Sequence, residues 1–147
     1  MKVKILNDDI VLYGFGYTKE GDAGIDLRYL GHTAFPLHGE MTAKFKTGIA
    51  VEIPEGNFGM IVPRSGLGSR GIILANTVGI IDPNYRGEII VNLWNRNPAM
   101  TRPVVLEPME RIAQLIIMPY TKVKPVFVET LNETDRGATG FGGSGRV

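Results

Sequence analysis

Several short segments of this chain carry side chains that could do chemistry, and each has a plainer alternative. Asp26 lies inside an apolar run, Ala23-Gly-Ile-Asp-Leu27. A carboxylate there needs a cationic partner or a bound cation, unless it caps a turn where a strand begins. In Pro63-Arg-Ser-Gly-Leu67, a short helix starting near Ser65 would aim free backbone N–H groups, the hydroxyl and Arg64 at one anion. The plainer role is a simple N-cap. The run Asn76-Thr-Val-Gly-Ile-Ile-Asp-Pro-Asn-Tyr-Arg-Gly87 holds Asp82 and Tyr85 in a turn between two apolar strands. A hairpin of that kind offers backbone N–H and C=O groups to a planar base edge. The alternative is a plain Asp-Pro turn with Tyr85 as a core ring. In Glu110-Arg-Ile-Ala-Gln114, Arg111 and Gln114 stand among apolar neighbours, as site residues or as a salt-bridged edge. Arg136-Gly-Ala-Thr-Gly-Phe-Gly-Gly-Ser-Gly145 combines an arginine, an aromatic and a hydroxyl with glycines. Such a backbone can approach phosphates closely, or it can be no more than a frayed terminus.

Taken together these groups are acids, phosphate-binding arginines, hydroxyls, one aromatic and a flexible flap. The chain has no cysteine, which excludes a disulfide scaffold, a thiolate nucleophile and any Cys-ligated metal. Its two histidines, His32 and His38, lie away from these segments. There is no Walker-type Gly-Lys-Ser/Thr. A net charge of +1 argues against gripping nucleic acid by bulk charge. The inventory fits metal-assisted hydrolysis of a nucleotide with an aspartate base.

The elements that must position these groups read as β. With 147 residues the chain holds one core. Phe45, Thr47, Ile49, Val51 and Ile53 share one parity, as do Ile89, Val91 and Leu93, which predicts strands with one buried face. Arg111 to Pro119 is apolar on both parities and predicts a strand buried on both faces, one way being a subunit interface. Pro54-Glu-Gly56, Asp82-Pro-Asn84, Asn97-Pro98 and Glu107-Pro108 punctuate these runs. The single helix candidate follows Pro63 and is weakened by Gly66 and Gly68. The expectation is an all-β fold, a barrel or jelly roll, over residues 1–128, with a flexible Gly-rich C-terminal arm over 129–147. No apolar stretch approaches the roughly 20 residues of a membrane span. Acids near the N-terminus do not suit a signal peptide, so a soluble, non-secreted chain is expected.

In order and spacing the segments AGIDL at 23–27, PRSGLG at 63–68, NTVGIIDPNYRGEI at 76–89, ERIAQLI at 110–116 and RGATGFGGSG at 136–145 resemble the five motifs of the homotrimeric dUTPases. The resemblance implies a distorted jelly-roll-like β-barrel and a homotrimer with shared active sites. It implies Mg2+-dependent hydrolysis of dUTP to dUMP and pyrophosphate, which limits uracil incorporation into DNA and supplies dUMP. It also implies the cytoplasm, or a host's if the chain is virus-encoded, and no nucleic-acid or membrane partner. In that light Asp82 resembles the general base and Gln114 the amide beside the attacking water. Asp26 resembles the acid that holds Mg2+ through its water ligands, and Arg64, Ser65 and Gly66 the triphosphate cradle. Asn76 and backbone groups near Gly79, Ile80, Ile81 and Ile90 resemble the uracil reader, and Tyr85 the ring that excludes a 2′-hydroxyl. Arg136, Phe141, Gly142 and Ser144 resemble the closing arm, with Phe141 stacked on uracil.

The chain departs from the family pattern in two motifs. Met109-Glu110 stands where Gly-Asp is common. Thr139 replaces a glycine and stiffens the arm, and Gly143-Ser144 replaces Ser-Thr. The rival readings are a dCTP deaminase-type enzyme of the same superfamily and a non-catalytic nucleotide-sensing regulator on the same fold. Asp82 together with Phe141 speaks against the first, and the full set of acids and phosphate contacts against the second.

Overall fold

The computed structural model describes residues 1–138 and 140. Among them are eleven strands and two short helices. The strands are β1 Lys2–Ile5, β2 Ile25–Arg28, β3 Phe35–Leu37, β4 Thr42–Lys46, β5 Ile49–Glu52, β6 Asn57–Pro63, β7 Ile72–Leu74, β8 Gly79–Ile81, β9 Ile90–Asn95, β10 Val104–Leu106 and β11 Arg111–Pro119. The helices are α1 Asp9–Tyr13 and α2 Ser65–Ser69. The pairings are all antiparallel and form a four-stranded sheet β2-β11-β6-β8, a three-stranded sheet β4-β9-β7 and the ribbons β1-β5 and β10-β3. The result is the expected jelly-roll-like all-β architecture. No helix among the described residues is long and apolar enough to cross a membrane.

Alternation of apolar side chains builds the core. Leu27, Ile49, Ile72, Val91, Leu93 and Leu115 are each essentially inaccessible and join one cluster. Burying a side chain of this size contributes about 1.5–3 kcal/mol, and no cross-link is needed to hold the layers together. Two polar side chains are fully buried with them, and both are satisfied. Thr47 Oγ1 donates to the carbonyl of Ile89 at 2.7 Å, and Asn95 Nδ2 to that of Leu37 at 2.8 Å.

Three expectations need correction. The run from Phe45 to Ile53 is not one strand: Gly48, at φ 70°, breaks it into β4 and β5 in different sheets. The predicted parity, Phe45 to Ile53, is buried throughout, but Gly48 and Ala50 on the other parity are buried as well. The helix after Pro63 is present, but it is not the only one. α1 has a single buried residue, Ile10, and so no apolar periodicity to read. Finally, β11 runs from Arg111 to Pro119 as expected, yet Ile116, Ile117 and Met118 are only half-buried in the single chain.

β11 is also the last strand among the described residues. From Tyr120 to Ala138 every residue is exposed, including Val123, Val126, Phe127 and Leu131. The expected core boundary at 128 therefore falls inside an exposed stretch, and Pro119 is the last residue paired in a sheet.

Candidate active site

The phosphate-side residues converge where β2, β6 and β11 meet. Asp26 stands opposite Gln114 in the β2–β11 ladder, so both project from one face. Leu27 stands opposite Ala113, and both point into the core. In a regular ladder Ile112 would come next, opposite Arg28. The register slips instead, and Arg28 faces Arg111. This bulge keeps Ile112 buried and brings Arg111 onto the face that carries Asp26 and Gln114. Arg64 reaches the same place from the residue that follows β6, which pairs with β11 on its other edge.

Asp26 is held between two guanidinium groups. Its side chain is 11% exposed. Arg111 Nη1 donates to Oδ2 at 3.2 Å. Arg64 Nε lies 2.9 Å from Oδ1, but its N–H is not aimed at that oxygen. Oδ1 is therefore buried beside a positive charge without an aligned hydrogen bond. Asp26 is not a turn cap; it is a paired, mostly buried carboxylate whose Oδ1 accepts no aligned hydrogen bond. A cavity of about 430 Å³ opens here, lined by Asp26, Arg64, Arg111 and Gln114 together with Thr18, Lys19 and Asp22.

α2 starts at Ser65, with Arg64 extended at the cap position and no side-chain cap hydrogen bond. Ser65 and Gly66 are exposed beside the cavity rim, and the hydroxyl does not cap its own helix. The N-cap alternative thus fails, and the Ser65 hydroxyl and first-turn N–H groups stay available to a ligand.

A second, smaller cavity of about 170 Å³ gathers Asn76, Gly79, Ile80, Ile81 and Ile90. The expected hairpin is absent. β8 pairs with β6, whereas β9 pairs with β4 and β7. The two strands flank the cavity without bonding to each other. β8 is the last strand of its sheet, so its outer edge presents backbone N–H and C=O groups that have no strand partner. Next to it Thr77 sits at φ 59°, a left-handed conformation that a β-branched residue adopts only under constraint. Its N–H donates to Leu74 and the following N–H, of Val78, to Asn76. This tight loop fixes the exposed Asn76 at the cavity mouth.

The remaining candidates lie apart. Asp82 is exposed and lines an open cleft of about 690 Å³ with Glu55, Asn84, Arg86 and Lys122. Tyr85 is not a core ring. It is 44% exposed, its hydroxyl donates to the Glu88 carbonyl at 3.0 Å, and it lies so close to Gly87 that a Cβ there would come within 2.4 Å of that hydroxyl. Arg136 falls in the exposed C-terminal stretch. Phe141, Gly142 and Ser144 lie outside the described residues. The three cavities share no lining residue.

The sequence reading missed Thr18, Lys19 and Asp22. Their signal was the turn Lys19-Glu-Gly-Asp22, closed by Lys19 N–H donating to Asp22 Oδ2 at 2.9 Å and Asp22 N–H to the Lys19 carbonyl. Glu110 takes up the other half of the salt-bridged-edge expectation. It accepts from Arg70 at 2.8 Å and from the Glu107 N–H at 2.9 Å.

Among the described residues no three acids or histidines cluster as metal ligands. A magnesium ion nevertheless fits in one way. Mg2+ keeps several waters and relies on substrate phosphates plus one or two carboxylates. Asp26, whose charge two arginines already offset, suits a contact through such a water and not direct ligation.

Comparison with known proteins agrees with this geometry. The dUTPase family model matches residues 15–145. The deoxyuridine 5'-triphosphate nucleotidohydrolase of Bordetella parapertussis is 42% identical over 147 residues, covering 99% of this chain and 97% of its own. That of Acinetobacter baumannii is 45% identical over 132 residues, covering 88% and 86%. Among solved structures, the Staphylococcus bacteriophage 80alpha dUTPase with dUPNHPP superposes with a TM-score of 0.81 at 27% identity, covering 98% of this chain and 97% of that one. With a family match across both the arginine–aspartate cluster and the β8 edge, the chain belongs to the dUTPase family.

Proposed function

We propose that the protein is a dUTP diphosphatase that hydrolyses dUTP to dUMP and pyrophosphate. One observation carries the reading: Asp26, Arg64 and Gln114, from three separate motifs of a chain matching the dUTPase model, converge on one cavity. The likeness to a dUTPase solved with dUPNHPP supports the substrate class.

In this reading the triphosphate lies against Arg64 and the Ser65–Gly66 turn. Uracil takes the free edge of β8, whose alternating N–H and C=O groups match its carbonyls and ring N–H. Cytosine would put a donor where the edge also donates, leaving buried polar groups unpaired, so discrimination can be large. Tyr85 packs against the deoxyribose and fills the space of a 2′-hydroxyl. Asp82 takes a proton from water as the oxygen attacks the α-phosphorus. The bond from that phosphorus to the bridging oxygen of the β-phosphate breaks, and pyrophosphate leaves. Gln114 orients the water and phosphate. Arg64 and, from the arm, Arg136 offset charge that grows on the leaving group. Bound Mg2+ supplies further charge neutralisation on the phosphates. Asp26 would hold its hydrated shell.

Because the Asp82 cleft shares no residue with the phosphate cavity, the reading requires Asp82 and the cradle to meet across chains. The resemblance to the homotrimeric dUTPases sets that assembly as a trimer, with the arm, including Phe141, Gly142 and Ser144, closing a neighbour's site. Function in a cytoplasmic nucleotide pool, lowering dUTP and supplying dUMP, follows from that activity.

The test is direct. The protein is mixed with Mg2+ and each deoxynucleoside triphosphate in turn, and pyrophosphate and ammonia are measured. Pyrophosphate from dUTP alone supports the proposal. Ammonia from dCTP would establish a deaminase instead, and neither product would leave a nucleotide-binding regulator.

A further inference from the structure

The cluster around Asp26 contains one cation more than the carboxylate needs. Arg64 and Arg111 both face it, on opposite oxygens. The functional reading gives Arg64 to the phosphates and gives Arg111 no task. We infer that Arg111 is a positioning residue: it keeps Asp26 paired so that Arg64 can transfer from Asp26 to the incoming triphosphate.

The two contacts differ in kind. Arg111 makes a formed hydrogen bond, with its N–H aimed at Oδ2. Arg64 is at ionic distance, but its N–H is not aligned with Oδ1. Arg64 is the closer of the two, at 2.9 Å against 3.2 Å, but it can leave without breaking an aligned hydrogen bond. The backbone enforces the same division. Arg111 is the first residue of β11, held by the bulge that sets it opposite Arg28 in the ladder with β2. Arg64 lies between β6 and α2, outside either element, with its phosphate-facing neighbours Ser65 and Gly66 exposed.

Without Arg111 the balance changes. Asp26 is mostly buried, and an unpaired buried carboxylate is costly. Among the described residues Arg64 would then be the cation still ion-paired with it, and a triphosphate recruiting Arg64 would strip Asp26 of that pair. With Arg111 in place, Arg64's departure leaves a neutral, hydrogen-bonded pair. Arg111 therefore acts through Asp26 on the freedom of Arg64, not on the phosphates themselves.

This inference rests on the proposed triphosphate site, and its test separates the two. Binding of dUPNHPP is measured by calorimetry without Mg2+, so that Asp26 acts only through its arginines. The proteins are wild type, Arg111→Gln, Arg111→Lys, Asp26→Asn and the double variant Arg111→Gln/Asp26→Asn. Circular dichroism and thermal melting check that each folds. Arg111→Gln is expected to weaken binding about tenfold, the scale of one charge-assisted hydrogen bond. Arg111→Lys, which keeps the charge, should recover most of that. In the Asp26→Asn background, Arg111→Gln should change binding less than twofold, because no carboxylate remains to be stranded. A tenfold loss that persists in that background would show Arg111 touching phosphate directly and overturn the inference. So would an Arg111→Gln protein that binds as wild type does. If Arg111→Gln does not fold, the inference stands or falls on Arg111→Lys: a several-fold loss abolished by Asp26→Asn supports it, and an unabolished loss or none overturns it. A folded wild type that fails to bind dUPNHPP at all would overturn the functional reading, and this inference with it.

Discussion

At the scale of residues, the proposed function gives holding the ligand and acting on it to different groups. Asp82 lies in the open cleft with no arginine pair like that of Asp26. Asp82→Asn should therefore lower kcat by roughly 10²–10⁴ while dUTP still binds, since a general base acts in the transition state. Steady-state kinetics with a separate binding titration checks this, and a near-normal kcat would remove Asp82 from the chemistry. Tyr85 should act on the sugar. Its ring is fixed from both sides, by the Glu88 carbonyl and by its approach to Gly87. Tyr85→Ala should raise kcat/KM for UTP relative to dUTP, and an unchanged ratio would mean that the ring does not read the 2′ position. Both residues could be singled out in the sequence because a turn with one acid and one aromatic is conspicuous. The pairing of Asp26 with Arg111 could not. Arg111 and Gln114 stand on opposite parities, and only the bulge near Ile112, which no sequence pattern announces, puts them on one face.

Elements carry the next set of constraints. The free edge of β8 depends on its close fit to β6. A Cβ on Gly79 would lie 3.0 Å from Ile61 Cβ, an atom fixed to the backbone and unable to swing away. Gly79→Ala should push β8 from β6 by a few tenths of an ångström and raise KM for dUTP several-fold, with a smaller change in kcat. An unchanged KM would contradict the role given to this edge. At the far side, β1 is exposed throughout and hangs on β5, with Lys2 Nζ donating to Glu52 at 2.7 Å. That hydrogen bond, then the Lys2 charge, lowers the Glu52 carboxyl below the usual carboxylate range. A depressed folded value means that this contribution is complete above the ordinary carboxylate pKa and is lost as pH falls through the depressed one. Amide exchange in Lys2–Ile5 should accelerate over that acidic window relative to a Glu52→Gln protein, modestly, because the pair is exposed. Identical acid dependence in both proteins would show that the pair does not tether β1.

Elements also show why the sequence was only partly legible. Alternation found β9, which keeps one buried face along its length, whereas β11 was found as a run apolar on both parities. It could not tell that β8 and β9 join different sheets, because two apolar runs around an Asp-Pro turn look the same whether or not they bond to each other. Nor could it find α1, whose single buried residue leaves no period. Composition set the start of the tail at 129, whereas the exposed stretch already begins at Tyr120.

At the scale of the whole molecule, the proposed function needs parts that one chain holds separately. The phosphate cavity, the β8 edge and the Asp82 cleft share no residue, and every described residue from Lys122 to Ala138 is exposed. Rotational symmetry can bring such parts together across chains. The most direct test mixes an Asp82→Asn chain that keeps its arm with a chain that keeps Asp82 but lacks residues 134–147. Equal amounts are unfolded and refolded together, with mixed trimers confirmed by native mass spectrometry. Each protein alone should be nearly inactive. Every mixed trimer contains one adjacency where an intact Asp82 and an intact arm meet, so random mixing should restore roughly a quarter of wild-type pyrophosphate release. Mixed trimers no more active than the separate variants would contradict the shared site.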